Sequence, residues 1–180
     1  MYPEIIIHYS YYLQIKFLRC SCNFKKLEEF VIKFEKYFRS YRLLILKNIE
    51  RYTGIKWKQK RILVWFFESY HPSISIPLLV NVYNYSRDFC LFTLVHELVH
   101  NNLYFSELRI FDKIKLKDLE AIVELVTKNV CKYIFSKEKL NELCKTSEFS
   151  GEYRKVWEKE KELEKIWNLE EKPLIKWLQT

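Results

Sequence analysis

Two imidazoles and a carboxylate fall within one short run, His96-Glu97-Leu98-Val99-His100. On a helix, positions i and i+4 lie about 40° apart and one turn along the axis. His96 and His100 then point the same way and can hold one zinc ion. Glu97, beside the first of them, can take a proton from a zinc-bound water and pass it to a leaving amine. The surrounding run is apolar: Cys90, Leu91, Phe92, Leu94 and Val95 precede the motif, and Leu98 and Val99 face the core. Polar groups buried without partners are costly, and zinc gives these a reason to be there. The competing reading is a chance pattern on a partly exposed helix.

A catalytic zinc needs a third protein ligand. No histidine follows His100, His8 and His71 lie upstream, and Leu103 stands where a metzincin-type continuation would need Gly. The third ligand is therefore expected to be a carboxylate from a later helix. Glu120-Ala121-Ile122-Val123-Glu124 supplies two on one helix face. One can bind zinc while the other accepts a hydrogen bond from a ligand imidazole. The competing reading makes both of them solvated surface residues. Glu107 and Asp112 are alternatives, ranked lower because they fall in a segment read as a linker.

HELVH followed by DLEAIVE resembles the gluzincin metallopeptidases, over roughly residues 60–135. In its short length and lack of a membrane anchor the chain is similar to the soluble minigluzincins. The resemblance implies an α+β fold: a mostly helical, minimal zincin-like domain with a small sheet before the active-site helix. It implies one Zn2+ per chain on His96, His100 and Glu120, with Glu97 as general base. Glu124 stands where the family usually has Asp, orienting a ligand imidazole. The family also uses an electrophile beyond the zinc ligands to stabilise the oxyanion. Tyr104, one turn after His100, is the first candidate, ahead of His71 and Tyr153; each Tyr also reads as a packing residue. The expected function is a zinc-dependent endopeptidase acting on peptides or unfolded protein, with a latent form expected from the small members of the family.

The elements around the motif follow from periodicity. Residues 4–18 read as a strand, or a strand leading into a helix. Asn23 is a candidate N-cap for a long amphipathic helix from Lys25 to about Tyr52, ended by Gly54. Residues 61–68 read as a buried strand. His71–Pro72 reads as a turn and 73–84 as a second strand, at an edge or broken at Pro77. Beside the cleft such an edge would hold a peptide by its backbone, with Asn81 and Asn84 as helpers or turn residues. Ser86 and Asp88 are candidate caps for a helix from about Arg87 to Tyr104. Further helices are expected from Lys117 to about Phe135, over 137–145 and over 152–168, and Pro173 precedes a last turn containing Trp177. The domain boundary is set at 1–150 for the peptidase domain and 151–180 for a helical extension. That extension, with Trp157, Trp167 and Trp177, reads as a helix docked by its aromatic side, or as an inhibitory tail.

Composition narrows the classes. The 180 residues include 2 Gly and 4 Pro, and 49% are hydrophobic. That suits one helix-rich domain and leaves few phosphate-cradling loops. The net charge of +8 is spread at helical spacing among Glu residues, so a nucleic-acid footprint is ranked below solvated helix faces. The densest basic cluster is Lys56, Lys58, Lys60 and Arg61. Five cysteines at irregular spacing argue against a disulfide framework and fit the cytoplasm. No signal peptide and no run long enough for a membrane span are visible. A homo-oligomer is compatible with the sequence. Two further readings remain beside the peptidase: a zinc-binding regulatory protein with little activity, and a basic helical nucleic-acid-binding protein.

Overall fold

The computed structural model describes residues 1–10, 23–68, 73–82, 86–106, 114–147, 153–168 and 171–178. In chain order the elements are β1 (Glu4–Tyr9), α1 (Phe24–Thr53), β2 (Arg61–Phe67), β3 (Ile74–Ser75), β4 (Leu78–Asn81), α2 (Arg87–Tyr104), α3 (Leu116–Cys131), α4 (Lys137–Ser147), α5 (Tyr153–Ile166) and α6 (Leu174–Leu178). The fold is α+β and mostly helical, as the sequence predicts.

The Asn23 side chain accepts a hydrogen bond from the Lys26 N–H and starts α1. Leu27, Val31, Phe34, Phe38, Ile45 and Ile49 then recur on one face and are buried, which is the stripe an amphipathic helix lays on a core. Gly54 ends the helix in the left-handed region at φ 73°. A Cβ there would meet Ile175 Cγ2 at 2.8 Å. The end of α1 and the start of α6 are thus in van der Waals contact, a second reason for Gly besides φ.

The sheet has the order β1-β2-β4-β3. β1 runs parallel to β2 with Glu4 opposite Arg61, and β2 runs parallel to β4 with Val64 opposite Leu78. The 73–84 segment is two strands rather than one. Pro77, which has no N–H for a ladder, sits in the turn after Ile76, and β3 folds back antiparallel on β4 with Ile74 opposite Leu79. Of these two strands β3 is at an edge of the sheet, with β1 at the other edge, while β4 lies between β2 and β3 and is buried throughout. Residues 69–72, 83–85, 107–113 and 148–152 lie outside the described residues, and with them His71–Pro72, Asn84, Glu107, Asp112 and Gly151.

α3 stops at Cys131, short of the expected Phe135, although the Phe135 N–H still reaches the Cys131 carbonyl at 2.9 Å. One apolar core runs through the described elements. It joins α1, the sheet, α2 and α3 to Leu163, Trp167 and Leu174 near the C-terminus. Among the described residues no helix is long and apolar enough to cross a membrane.

Candidate metal centre

Ser86 has extended backbone and its hydroxyl accepts the Phe89 N–H at 3.1 Å, while Asp88 lies in the first turn of α2. This cap satisfies one of the free N–H groups at the helix start, and the carboxylate complements its dipole. Asp88 also accepts the Tyr37 hydroxyl at 2.8 Å, which pins the start of α2 to α1. Further along, Leu94, Val95, Leu98 and Val99 are fully buried. Their packing fixes the rotation of α2, so the opposite face, with His96 and His100, is turned to α3.

α3 brings Glu120 to that face. His100 Nε2 lies 3.2 Å from His96 Nε2 and 3.3 Å from Glu120 Oε2, and His96 Nε2 lies 3.5 Å from the same oxygen. A tetrahedral zinc with bonds of about 2.0–2.1 Å separates its ligand atoms by about 3.3 Å. The triangle has the size zinc requires, and its corners are the nitrogen and oxygen donors zinc prefers. Among the described residues these three form a group of metal-ligating side chains converging on one point.

His96 Nδ1 is 3.3 Å from Glu124 Oε2. A carboxylate on one ring nitrogen places the ring proton there and leaves the other nitrogen free for a metal. Electrostatics agree with the crowding. Burial alone would lower the pKa of His96, but Glu120 and Glu124, with Glu97 nearby, more than offset it and push it up to about 10. Burial would raise Glu120, yet its hydrogen bonds to His100 and His96 and their charges hold it well below the usual carboxylate range. The carboxylates thus favour a positive charge on the His96 ring.

Glu97 is buried beside His96. Tyr104 is the last residue of α2, 67% exposed, with its ring edge-on to Phe105 at 5.1 Å. The structure thus brings His96, His100, Glu120 and Glu124 together, keeps Glu97 next to His96 in α2, and leaves Tyr104 exposed at the end of that helix. Tyr153 opens α5, but its side chain lies outside the description. Asn81 is buried in β4, where its N–H donates to Ser73 Oγ at 3.0 Å.

Two polar residues near the centre escaped the sequence reading. Lys128 Nζ stands 3.8 Å from Glu124 Oε1 and 2.7 Å from Glu160 Oε2. The spacing from Glu124 to Lys128, one helical turn, was a usable signal. Nothing in the sequence marks Glu160, which is brought in from a different helix. Comparison of the chain with protein-family models, curated proteins and solved structures finds no match.

Proposed function

We propose that the chain is a zinc-dependent peptidase of the gluzincin type, acting on peptides or unfolded protein. The observation that carries this reading is the triangle of His96 Nε2, His100 Nε2 and Glu120 Oε2, with edges of 3.2, 3.3 and 3.5 Å. These residues would hold the ion. Zinc there would supply Lewis acidity and make a water molecule acidic near neutral pH.

The chain's own groups divide the remaining work. Glu124 holds the His96 ring by Nδ1, so that Nε2 stays directed at the centre. Glu97, the buried neighbour of His96, would hold a proton and deliver it to the leaving amine nitrogen. Tyr104, one turn after His100 and exposed, is the candidate donor to the oxyanion. β3 offers a short free edge to an extended peptide, and its neighbour β4 packs with α2. The buried thiols of Cys90 and Cys131 support a reducing, cytoplasmic setting.

Casein cleavage by zinc-loaded wild type and Glu97→Gln tests the reading. Removing a general base costs about 10²- to 10⁴-fold in rate, and the variant should keep its zinc. Equal cleavage by both proteins would overturn the assignment of Glu97. Zinc-loaded wild type that cuts neither casein nor short unstructured peptides would overturn the peptidase reading while leaving the metal site standing.

A further inference from the structure

Behind the centre, on the Nδ1 side of His96, a line of alternating charges leads away from α2. Glu124 spends one oxygen on His96 Nδ1 at 3.3 Å and turns the other to Lys128 Nζ at 3.8 Å. Lys128 Nζ in turn meets Glu160 Oε2 at 2.7 Å. Along this line the side chains of Glu124, Lys128 and Glu160 are 9%, 18% and 2% exposed. Glu160 belongs to α5, and its partner on α3 lies 32 residues earlier.

Stability does not explain such a pair. Taking two charges out of water costs several kcal/mol each, on the order of what their attraction returns, so apolar residues of similar size serve as well or better. Apolar contacts already hold α5 to the core through Leu163 and, just beyond it, Trp167. Elsewhere on the C-terminal helices the ion pairs are on the surface, as with Lys139–Glu142 and Lys159–Glu162. The buried pair stands apart in one respect: it ends on the carboxylate that orients a metal-ligating imidazole.

We propose that Lys128 and Glu160 are positioning residues for the metal centre. Glu160 fixes the Lys128 ammonium, Lys128 fixes the second oxygen of Glu124, and Glu124 holds His96 with Nε2 toward His100 and Glu120. The inference rests on the metal-site reading above and deepens it. A carboxylate held at one oxygen only can turn about its last torsion and lose its aim at Nδ1. Lys128 without Glu160 has a flexible four-carbon stem and can carry its charge toward water. α5 thereby becomes part of the metal site from behind, on the side of His96 opposite to its ligand nitrogen. The affinity of the centre for zinc then depends on the Glu160 carboxylate that α5 carries.

The test uses the full chain at pH 8, where the Glu160 carboxylate is ionised, with zinc affinity measured by chelator competition and the visible spectrum recorded after Co2+ substitution. The variants are Glu160→Gln, Glu124→Gln, their double, and Leu163→Ala, which removes an apolar contact of α5 with the core but no charge of the line. Partners behind a metal ligand typically contribute 10- to 100-fold in affinity, and Glu160→Gln is expected to cost about 10-fold and to shift the cobalt bands. Leu163→Ala should lower the melting temperature and leave affinity and spectrum unchanged. In the Glu124→Gln background, Glu160→Gln should have no further effect on affinity. Wild-type affinity and cobalt spectrum in Glu160→Gln would overturn the proposal, as would an equal loss in both backgrounds. Should Glu160→Gln fail to fold, Glu160→Asp and Lys128→Arg keep the charges and displace them. Intermediate affinity with cooperative melting is then expected, and wild-type affinity in both would overturn the proposal. A wild type that takes no zinc fails the metal reading itself; one that binds zinc with Glu160→Gln unchanged fails this inference alone.

Discussion

His100 and Asn102 sit two residues apart on α2, and the polar groups around them are arranged by opposite rules. Around Asn102 the groups answer one another. Its Nδ2 donates to the Ile55 carbonyl at 3.2 Å, and the Ile55 N–H donates to Thr53 Oγ1 at 3.2 Å. The Thr53 hydroxyl lies 2.9 Å from Asn102 Oδ1 and 2.8 Å from the Ile49 carbonyl. That ring closes on itself, is neutral, and joins the end of α1 to α2. Around His100 groups of the kind that bind metals converge instead: two ring nitrogens and a carboxylate oxygen within 3.2–3.5 Å. Such a set can close on an N–H of either ring or on a metal ion. Buried polar residues are thus not alike: those around Asn102 join two helices, and those around His100 form a group that could hold a metal ion.

The contrast can be sharpened first from the metal side. Glu124→Gln keeps the size of the side chain but removes the charge that fixes the His96 ring. Zinc affinity should fall by about 10- to 100-fold in a chelator-competition titration, while the metal-free fold melts much as before. Asn102→Ala should do the reverse. It takes the side-chain donor from the Ile55 carbonyl, while Thr53 keeps the Ile49 carbonyl, a cost of about 1–3 kcal/mol. For a domain of this size that lowers the melting temperature by about 2–4 °C per kcal/mol, and zinc affinity should stay put. A variant that moved both quantities equally would erase the distinction.

The last effect is a pH dependence and concerns another buried polar group, Glu160. Burial raises its pKa to about 7 in spite of Lys128. The folded chain therefore holds this proton from the ordinary carboxylate value of 4.5 up to about 7, where the unfolded chain has lost it. Its contribution to stability is present below that window and is lost as pH rises through it, by at most about 1.4 kcal/mol per pH unit. Denaturant melts of metal-free wild type and Glu160→Gln from pH 4.5 to pH 7.5 should differ by that slope. Parallel curves would show that Lys128 keeps Glu160 ionised throughout.

The comparison also explains what the sequence could reveal. α2 was legible to the residue because local signals agree there: Ser86 to cap it, an apolar run to bury it, and HELVH at helical spacing. The convergence of Glu120 on the histidines followed from the chemistry of the motif, which asks for a third ligand. α1 was legible between Asn23 and Gly54, each of which acts on its own helix end. The 73–84 run was harder. Its apolar character suits one strand or two, and only the folded chain shows β3 turned back on β4 after Pro77. The parallel pairing of β1 with β2 spans α1 and leaves no local trace. The Glu160–Lys128 contact was beyond reach for the same reason: it depends on how α5 meets α3, and Glu160 lies in a run of alternating Lys and Glu that reads as solvated surface.

The most direct test of the central claim is the zinc content of the purified chain, wild type against Glu120→Ala, after zinc is added back and the excess removed. The account predicts one zinc per chain in wild type, and in Glu120→Ala an affinity reduced beyond the roughly 100-fold that outer partners contribute. No zinc in either protein, or equal and equally tight zinc in both, would contradict it.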